Sequence, residues 1–338
     1  MIKTELFENF HGKKINKYTI TDEISISLIT LGARVLDLFV PDKNGKFVDI
    51  SLNMSNAQDI IDKSGYMGAT IGRSCNRISK GSFEINGKEY KIWHDVDSAH
   101  LHGGKIGFDK RIFDAKIDEA NNSVTMSYFS PDGEEGYPGN AKVSVKFTVK
   151  GAKLIIEYFA ESDADTLMSL TNHTYFNLNG ENDGTILDNV MQINANAYLP
   201  TTKLWTTTGE VKSVDNTPFD FRKAKPIGQD INADDKDLKN AGGYDHNFCL
   251  IDSHFATVYS PKTGIQMDCY TDRPGVQFYS GNLLTGENGK SIYNKNAGFC
   301  LESQVYPDAI HKPEWQSPIL CKDEKYYTKT EYAFSIKK

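Results

Sequence analysis

The chain has 338 residues, 39% hydrophobic and 25% charged, enough to bury a sizeable core as one large unit or as two ordinary domains. A net charge of -7 argues against gripping a phosphate backbone, which needs a basic excess, and suits a small neutral partner better. No apolar run reaches the roughly 18 residues of a membrane helix, and the start, MIKTELFENFHGKK, lacks an apolar stretch after its lysines, so neither export nor a membrane is expected.

In chain order, Ile24, Ile26 and Leu28 alternate with Ser25 and Ser27, the period-two signature of a half-buried strand. SNAQDIIDKSG predicts one short helix ending at Gly65. FEINGKEYKI carries Asn86-Gly87 between two alternating arms, a hairpin signal because a type I′ turn needs positive φ at both central residues. Val143, Val145, Phe147 and Val149 alternate with Ser144, Lys146 and Thr148 as a further strand. TVYSPKTGIQMDCY repeats the hairpin theme with a longer turn, and EYAFSIKK reads as a closing strand. Helical periodicity is scarce, and no linker, repeat or charge block marks a domain boundary. The expected fold is all-β, one large antiparallel β-sandwich domain over residues 1–338. Cys75, Cys249, Cys269, Cys300 and Cys321 are scattered, odd in number and without a CxxC pair, so a reducing cytoplasm is expected rather than a disulfide frame or a zinc knuckle.

Six places concentrate residues that do chemistry, and each also has a plain structural reading. They are GRSCNRISKG, LHGG, SLTNHTYFNLNG, GYDHNF, GVQFYSGN and FCLESQVYPDA. His173, in the nearly uncharged run Ser169 to Gly180, is compatible with a satisfied core histidine or with a proton carrier. His102 precedes paired glycines that serve backbone geometry, and with His100 it forms an His-x-His pair for which no further ligands follow at metal spacing. In the strand Phe299 to Gln304, alternation places Glu302 with Cys300 and Gln304 on one face, the pattern of a solvent-facing glutamate. Asp245 fits a turn, Arg77 a surface ion pair, and Gln277 shares a strand face with Tyr279, an amide beside a ring that suits a sugar.

The order and wording of these pieces resemble the aldose 1-epimerase (galactose mutarotase) family along essentially the whole chain. The resemblance rests on Gly72-Arg73 with Asn76-Arg77, on Leu101-His102-Gly103-Gly104 followed by Gly107-Phe108-Asp109-Lys110, and on Asp132 through Gly139. It continues with Asn172-His173-Thr174-Tyr175-Phe176-Asn177-Leu178, Tyr244-Asp245-His246, and the Glu302 strand running into Tyr306-Pro307-Asp308-Ala309. Cys75 stands where a small residue is usual, Ala99 and His100 replace a more polar lead-in, and His311 replaces a frequent asparagine, departures that bear on sugar preference.

The resemblance implies a galactose mutarotase-like supersandwich that interconverts the α and β anomers of free hexoses such as galactose and glucose. It implies Glu302 as base, His173 as acid and His102 as their assistant, with Asn76, Arg77, Asp245 and Gln277 holding hydroxyls. Such a reaction moves no electrons and needs no metal to polarise a carbonyl, so neither cofactor nor metal is expected, and the sequence leaves monomer or homodimer open. Nearby carboxylates, Glu302 and Asp245, are expected to favour the imidazolium form of His173. The rival readings are a hexose-6-phosphate 1-epimerase using Arg73 and Arg77, a non-catalytic carbohydrate-binding protein, and a glycosidase pairing Asp245 with Glu302.

Overall fold

A computed structural model describes residues 1–63, 65–94 and 99–337. Three antiparallel sheets carry the chain. The first has five strands in sequence order, Ile2–Phe10, Lys13–Thr21, Ser25–Ile29, Arg34–Pro41 and Phe47–Asp49. The second has nine, among them Ala141–Lys150, Lys153–Ser162, Lys325–Ile336, Ile265–Thr271 and His254–Tyr259 as consecutive neighbours. The third runs Lys212–Ser213, Ala195–Leu199, Asp245–Leu250, Gly275–Tyr279 and Cys300–Gln304. Apolar residues from all three meet in one core, including Ile26 and Leu28, Val145 and Phe147, and Phe248, Phe278 and Leu301. The all-β sandwich expected from alternation is the observed architecture. No helix among the described residues is long and apolar enough to cross a membrane.

Local expectations hold where the turn chemistry is explicit. Ser82–Ile85 pairs with Lys88–Lys91 around Asn86 (φ 53°) and Gly87 (φ 76°), both in the left-handed region that a type I′ turn requires. The helix forms over Ala57–Lys63, with Asn56 Oδ1 accepting the Asp59 N–H at 2.9 Å as its N-terminal cap; residue 64 lies outside the described residues. The closing strand is longer and more central than a terminal segment suggests. Lys325–Ile336 spans twelve residues and is paired on both edges, by Lys153–Ser162 and Ile265–Thr271. A second helix, Lys236–Ala241, was not expected; Asp235 caps it and Gly242 (φ 69°) ends it.

The Glu302 strand departs most from the sequence pattern, since all five residues of Cys300–Gln304 are buried. One face of the third sheet packs on the shared core. Segments around residues 65–78, 100–104 and 169–176 cover the other, through the pairings of Thr171–Asn172 with Thr70–Ile71 and of His100–Leu101 with Arg77–Ile78. Alternation thus separates two buried faces here, not core from water.

Arg73 anchors that cover from within. Its guanidinium is buried and donates to Ser130 Oγ and O, Pro131 O, Pro138 O and Thr166 Oγ1, at 2.8 to 3.3 Å. Arg73→Met would strand three carbonyls, so it should lower the free energy of unfolding by about 3 kcal/mol or more in urea titration. A loss under about 1 kcal/mol would contradict this anchoring role.

Candidate active site

The seven residues singled out from the sequence line one cavity of about 180 Å³. Three adjacent strands of the third sheet bring Asp245, Gln277 and Glu302 together. Register places Gln277 opposite Glu302, and Asp245 opposite Tyr279. Gln277 Nε2 donates to Asp245 Oδ1 at 2.7 Å. Gln277 Oε1 and Glu302 Oε2 are buried with no protein partner among the described residues, acceptors left facing the cavity.

His173 arrives from the covering layer. Its N–H donates to Ala69 O and its carbonyl accepts from Gly68 N–H, both at 2.9 Å. The flanking polar residues fix this crossing: Asn172 Nδ2 donates to Gly68 O at 2.9 Å, and Asn172 Oδ1 accepts from Thr174 N–H and Oγ1–H. The imidazole sits near Tyr66 and Tyr175, with ring centroids 5.7 and 5.2 Å away. Its Nε2 faces Glu302 Oε1 at 3.5 Å and its Nδ1 faces Cys300 Sγ at 3.4 Å.

His102 occupies a turn whose three residues His102, Gly103 and Gly104 have φ of 51°, 89° and 113°. The glycine reading of this motif also holds, because a Cβ on Gly103 would lie 1.8 Å from Gly72 O. Glu135, from the Asp132-to-Gly139 motif, braces the turn by accepting the Lys105 and Ile106 N–H groups. His102 Nδ1 accepts the Asn76 N–H at 3.1 Å, which puts the ring proton on Nε2 and makes Nε2–H a donor. Asn76 (φ 57°) also donates from Nδ2 to Gln304 Oε1 at 3.4 Å and accepts the Arg77 N–H at 2.8 Å.

His102, His173 and Glu302 offer ligand atoms within 4.8 Å of one another, close enough to raise the question of a metal ion. The tautomer argues against it. With Nδ1 of His102 accepting an amide, Nε2 has no lone pair to give a cation unless that bond breaks. The His-x-His pair itself is split: His100 Nδ1 contacts Trp93 O and Nε2 contacts the Tyr137 hydroxyl, both at 2.6 Å.

Charge in the site is governed by burial. Glu302 is 2% exposed and His173 4%. Burial pushes the Glu302 carboxyl well above the usual carboxylate range, Asp245 adds to the rise and Arg77 opposes it. Burial pulls His173 down to about 3, with Arg34 and Arg77 adding to the fall. The expected imidazolium, favoured by neighbouring carboxylates, is therefore corrected. Loss of water outweighs their attraction at His173, and at Glu302 it favours the protonated carboxyl. His102 is likewise held well below its ordinary value by burial, then by His173 and Arg77.

Other expectations also change. Arg73 spends its guanidinium on Ser130, Pro131, Pro138 and Thr166 and does not line the cavity, so it is not available to a phosphate there. Ala99, His100 and His311 do not line the cavity either, and His311 instead pairs with Asp308 at 2.7 Å. Cys75, pushed up to about 12 by burial, packs as a small thiol against Ser169 and Gln304. Sequence reasoning missed Tyr66 and Leu283 in the wall; Tyr175 lay inside a quoted motif, whereas Tyr66 had only a glycine-flanked context as a signal.

Comparison with known proteins gives one answer. Residues 16–333 match the sequence profile of the Aldose 1-epimerase family. The chain is 40% identical over 334 residues to galactose mutarotase of Homo sapiens, covering 96% of this chain and 95% of that protein. It is 34% identical over 322 residues to aldose 1-epimerase of Escherichia coli K12, with 91% of each covered. Among solved structures, galactose 1-epimerase from Lactobacillus acidophilus superposes with a TM-score of 0.88 at 25% identity, covering 100% of this chain and 99% of that one. The profile match over nearly the whole length, on a sandwich that gathers these side chains in one cavity, makes this chain a member of the aldose 1-epimerase family.

Proposed function

We propose that this chain converts between the α and β anomers of a free aldose such as galactose or glucose, acting as one catalytic unit over residues 1–338 without cofactor or metal. The observation that carries the proposal is the Glu302–His173 pair, 3.5 Å apart on the cavity wall, with hydroxyl-binding groups around it. Opening the ring requires a proton to leave the C1 hydroxyl and a proton to reach the ring oxygen as the C1–O5 bond breaks. The open aldehyde turns about C1–C2, recloses and returns both protons, so no electrons leave the sugar.

Glu302 is assigned as the base and His173 as the acid. The pair holds one proton. At rest it sits on Glu302; in the working state it sits on His173, leaving Glu302 charged. Sugar hydroxyls that donate to the unpartnered Glu302 Oε2 favour that working state, because hydrogen bonds to a carboxylate stabilise its charge. His102 Nε2–H is assigned as a donor to a sugar oxygen. Asn76, Arg77, Asp245 and Gln277 orient the ring, which supports the rate because both proton carriers must stay aligned with the reacting bond. The phosphorylated-sugar reading loses support, since Asp245, Glu287 and Glu302 line the cavity against Lys63 and Arg77 as its only lysine and arginine among the described residues. Five cysteines outside any disulfide support a cytoplasmic location.

Polarimetry on freshly dissolved α-galactose and α-glucose tests the activity. Mutarotation accelerated over the buffer rate is expected, and an unchanged buffer rate with both sugars would contradict it. Glu302→Gln and His173→Asn should each lower kcat by roughly 10²- to 10⁴-fold. Combining them should cost far less than the product of the single losses, because groups that share one proton fail together. Multiplicative losses would show two independent sites of action.

The pH dependence follows from the same pair. Activity needs one proton on it, and kcat/KM reports the free protein. As pH falls, a second proton enters on His173, whose depressed value puts the acid limb near pH 3. As pH rises, the single proton leaves from Glu302, whose raised value puts the alkaline limb above the usual carboxylate range. A deprotonated carboxylate and a protonated imidazole at their ordinary values give the opposite ownership, with Glu302 on the acid side and His173 on the alkaline side. Initial rates across pH, with circular dichroism confirming the folded state, should show the acid limb near pH 3 and none at the ordinary carboxylate value. Limbs at the ordinary carboxylate and imidazole values would contradict the burial account.

A further inference from the structure

Arg77 is the only arginine lining the cavity among the described residues, and its two ends are held very differently. Its backbone is fixed by pairing with Leu101, by the bond from its N–H to Asn76 Oδ1, and by its carbonyl accepting the Asp308 N–H at 3.0 Å. Its guanidinium has looser company. Asp245 Oδ2 lies 4.0 Å from Nη2, at the outer limit of an ion pair, while Asp245 Oδ1 is taken by Gln277. The guanidinium carbon lies 5.6 Å from the centroid of the Trp205 ring, within range of a cation–π interaction.

Trp205 has no evident packing reason to be where it is. It belongs to none of the buried apolar clusters and is 40% exposed. Its φ of 57° is unfavourable for a bulky residue. The indole is nevertheless pinned: Nε1–H donates to Asn240 O at 3.2 Å, and the Trp205 N–H donates to Thr202 O at 3.0 Å in a loop closed by the Thr201–Thr207 bridge. An exposed ring held at both backbone and edge presents a fixed π surface to one flexible cation.

We propose that Trp205 is a positioning residue for Arg77. By stacking on the guanidinium it holds the head group against the cavity wall before sugar arrives, so that binding does not have to order a long side chain. Trp205 touches none of the reacting groups, and its contribution is to affinity. The inference rests on the mutarotase reading above.

Initial-rate polarimetry on the purified full chain tests it. Trp205→Ala is expected to raise KM about three- to tenfold with kcat within about twofold. Trp205→Leu, which keeps bulk without a π face, should behave the same way, and Trp205→Phe should recover KM to within about twofold of wild type. In an Arg77→Met background, Trp205→Ala should change KM less than about 1.5-fold, because the partner is already gone. Wild-type KM in either the Ala or the Leu variant, no recovery in the Phe variant, or an undiminished effect in the Arg77→Met background would each overturn the proposal. If the wild-type chain itself accelerates no mutarotation, the functional reading fails before Trp205 is tested.

Discussion

The removal of water from Glu302 and His173 is the constraint around which the site is organised. In water a glutamate is ionised at neutral pH and holds a neighbouring histidine partly protonated; behind this covering layer, charge separation lacks the solvation that sustains it. Burial therefore favours the uncharged form of both groups, which lie 3.5 Å apart. Such a pair is suited to a reaction that takes a proton at one oxygen, gives one at another and then runs backwards, since neither group must be reset by an outside donor.

Much of the surrounding structure serves to keep that pair dry and aligned. Tyr66 and Tyr175 lie near the imidazole, Asn172 and Gly68 fix the backbone beneath it, and Glu135 braces the turn that aims His102. Below Glu302, Gln304 accepts from Asn76 and donates from Nε2 to Asn247 Oδ1 at 3.0 Å, linking the third sheet to the cover. Arg34 adds a buried positive charge near His173; it is fully buried and bonded to the Leu31, Met67 and Asp109 carbonyls. Its charge opposes a second proton on the imidazole and so works with burial.

The sequence revealed the fold class because alternation and turn chemistry are local, as at Val143 to Val149 and Asn86-Gly87. It missed the Lys236–Ala241 helix, where Asp235 and Gly242 give proper start and stop signals but six residues are too few to show helical periodicity. That these residues gather in one cavity was legible through motif order. Their electrostatics were not, because alternation around Glu302 looks the same whether the second face meets water or a covering layer. Arg73 illustrates the same limit. One motif holds Arg73 and Arg77, yet one guanidinium is spent on the Ser130, Pro131 and Pro138 carbonyls and the other reaches the cavity. Trp205 carried no sequence signal, since its partner is 128 positions away and the contact exists only in three dimensions.

The central claim is that burial, rather than attraction between opposite charges, sets the protonation of the pair. Nitrogen-15 NMR of the imidazole of His173, assigned by its loss in His173→Asn, measures this directly in the sugar-free protein. The account predicts a neutral ring, with one nitrogen protonated, from pH 8 down to about pH 4. A doubly protonated His173 at pH 6 to 7 would contradict it and restore the ion pair that charge attraction alone would make.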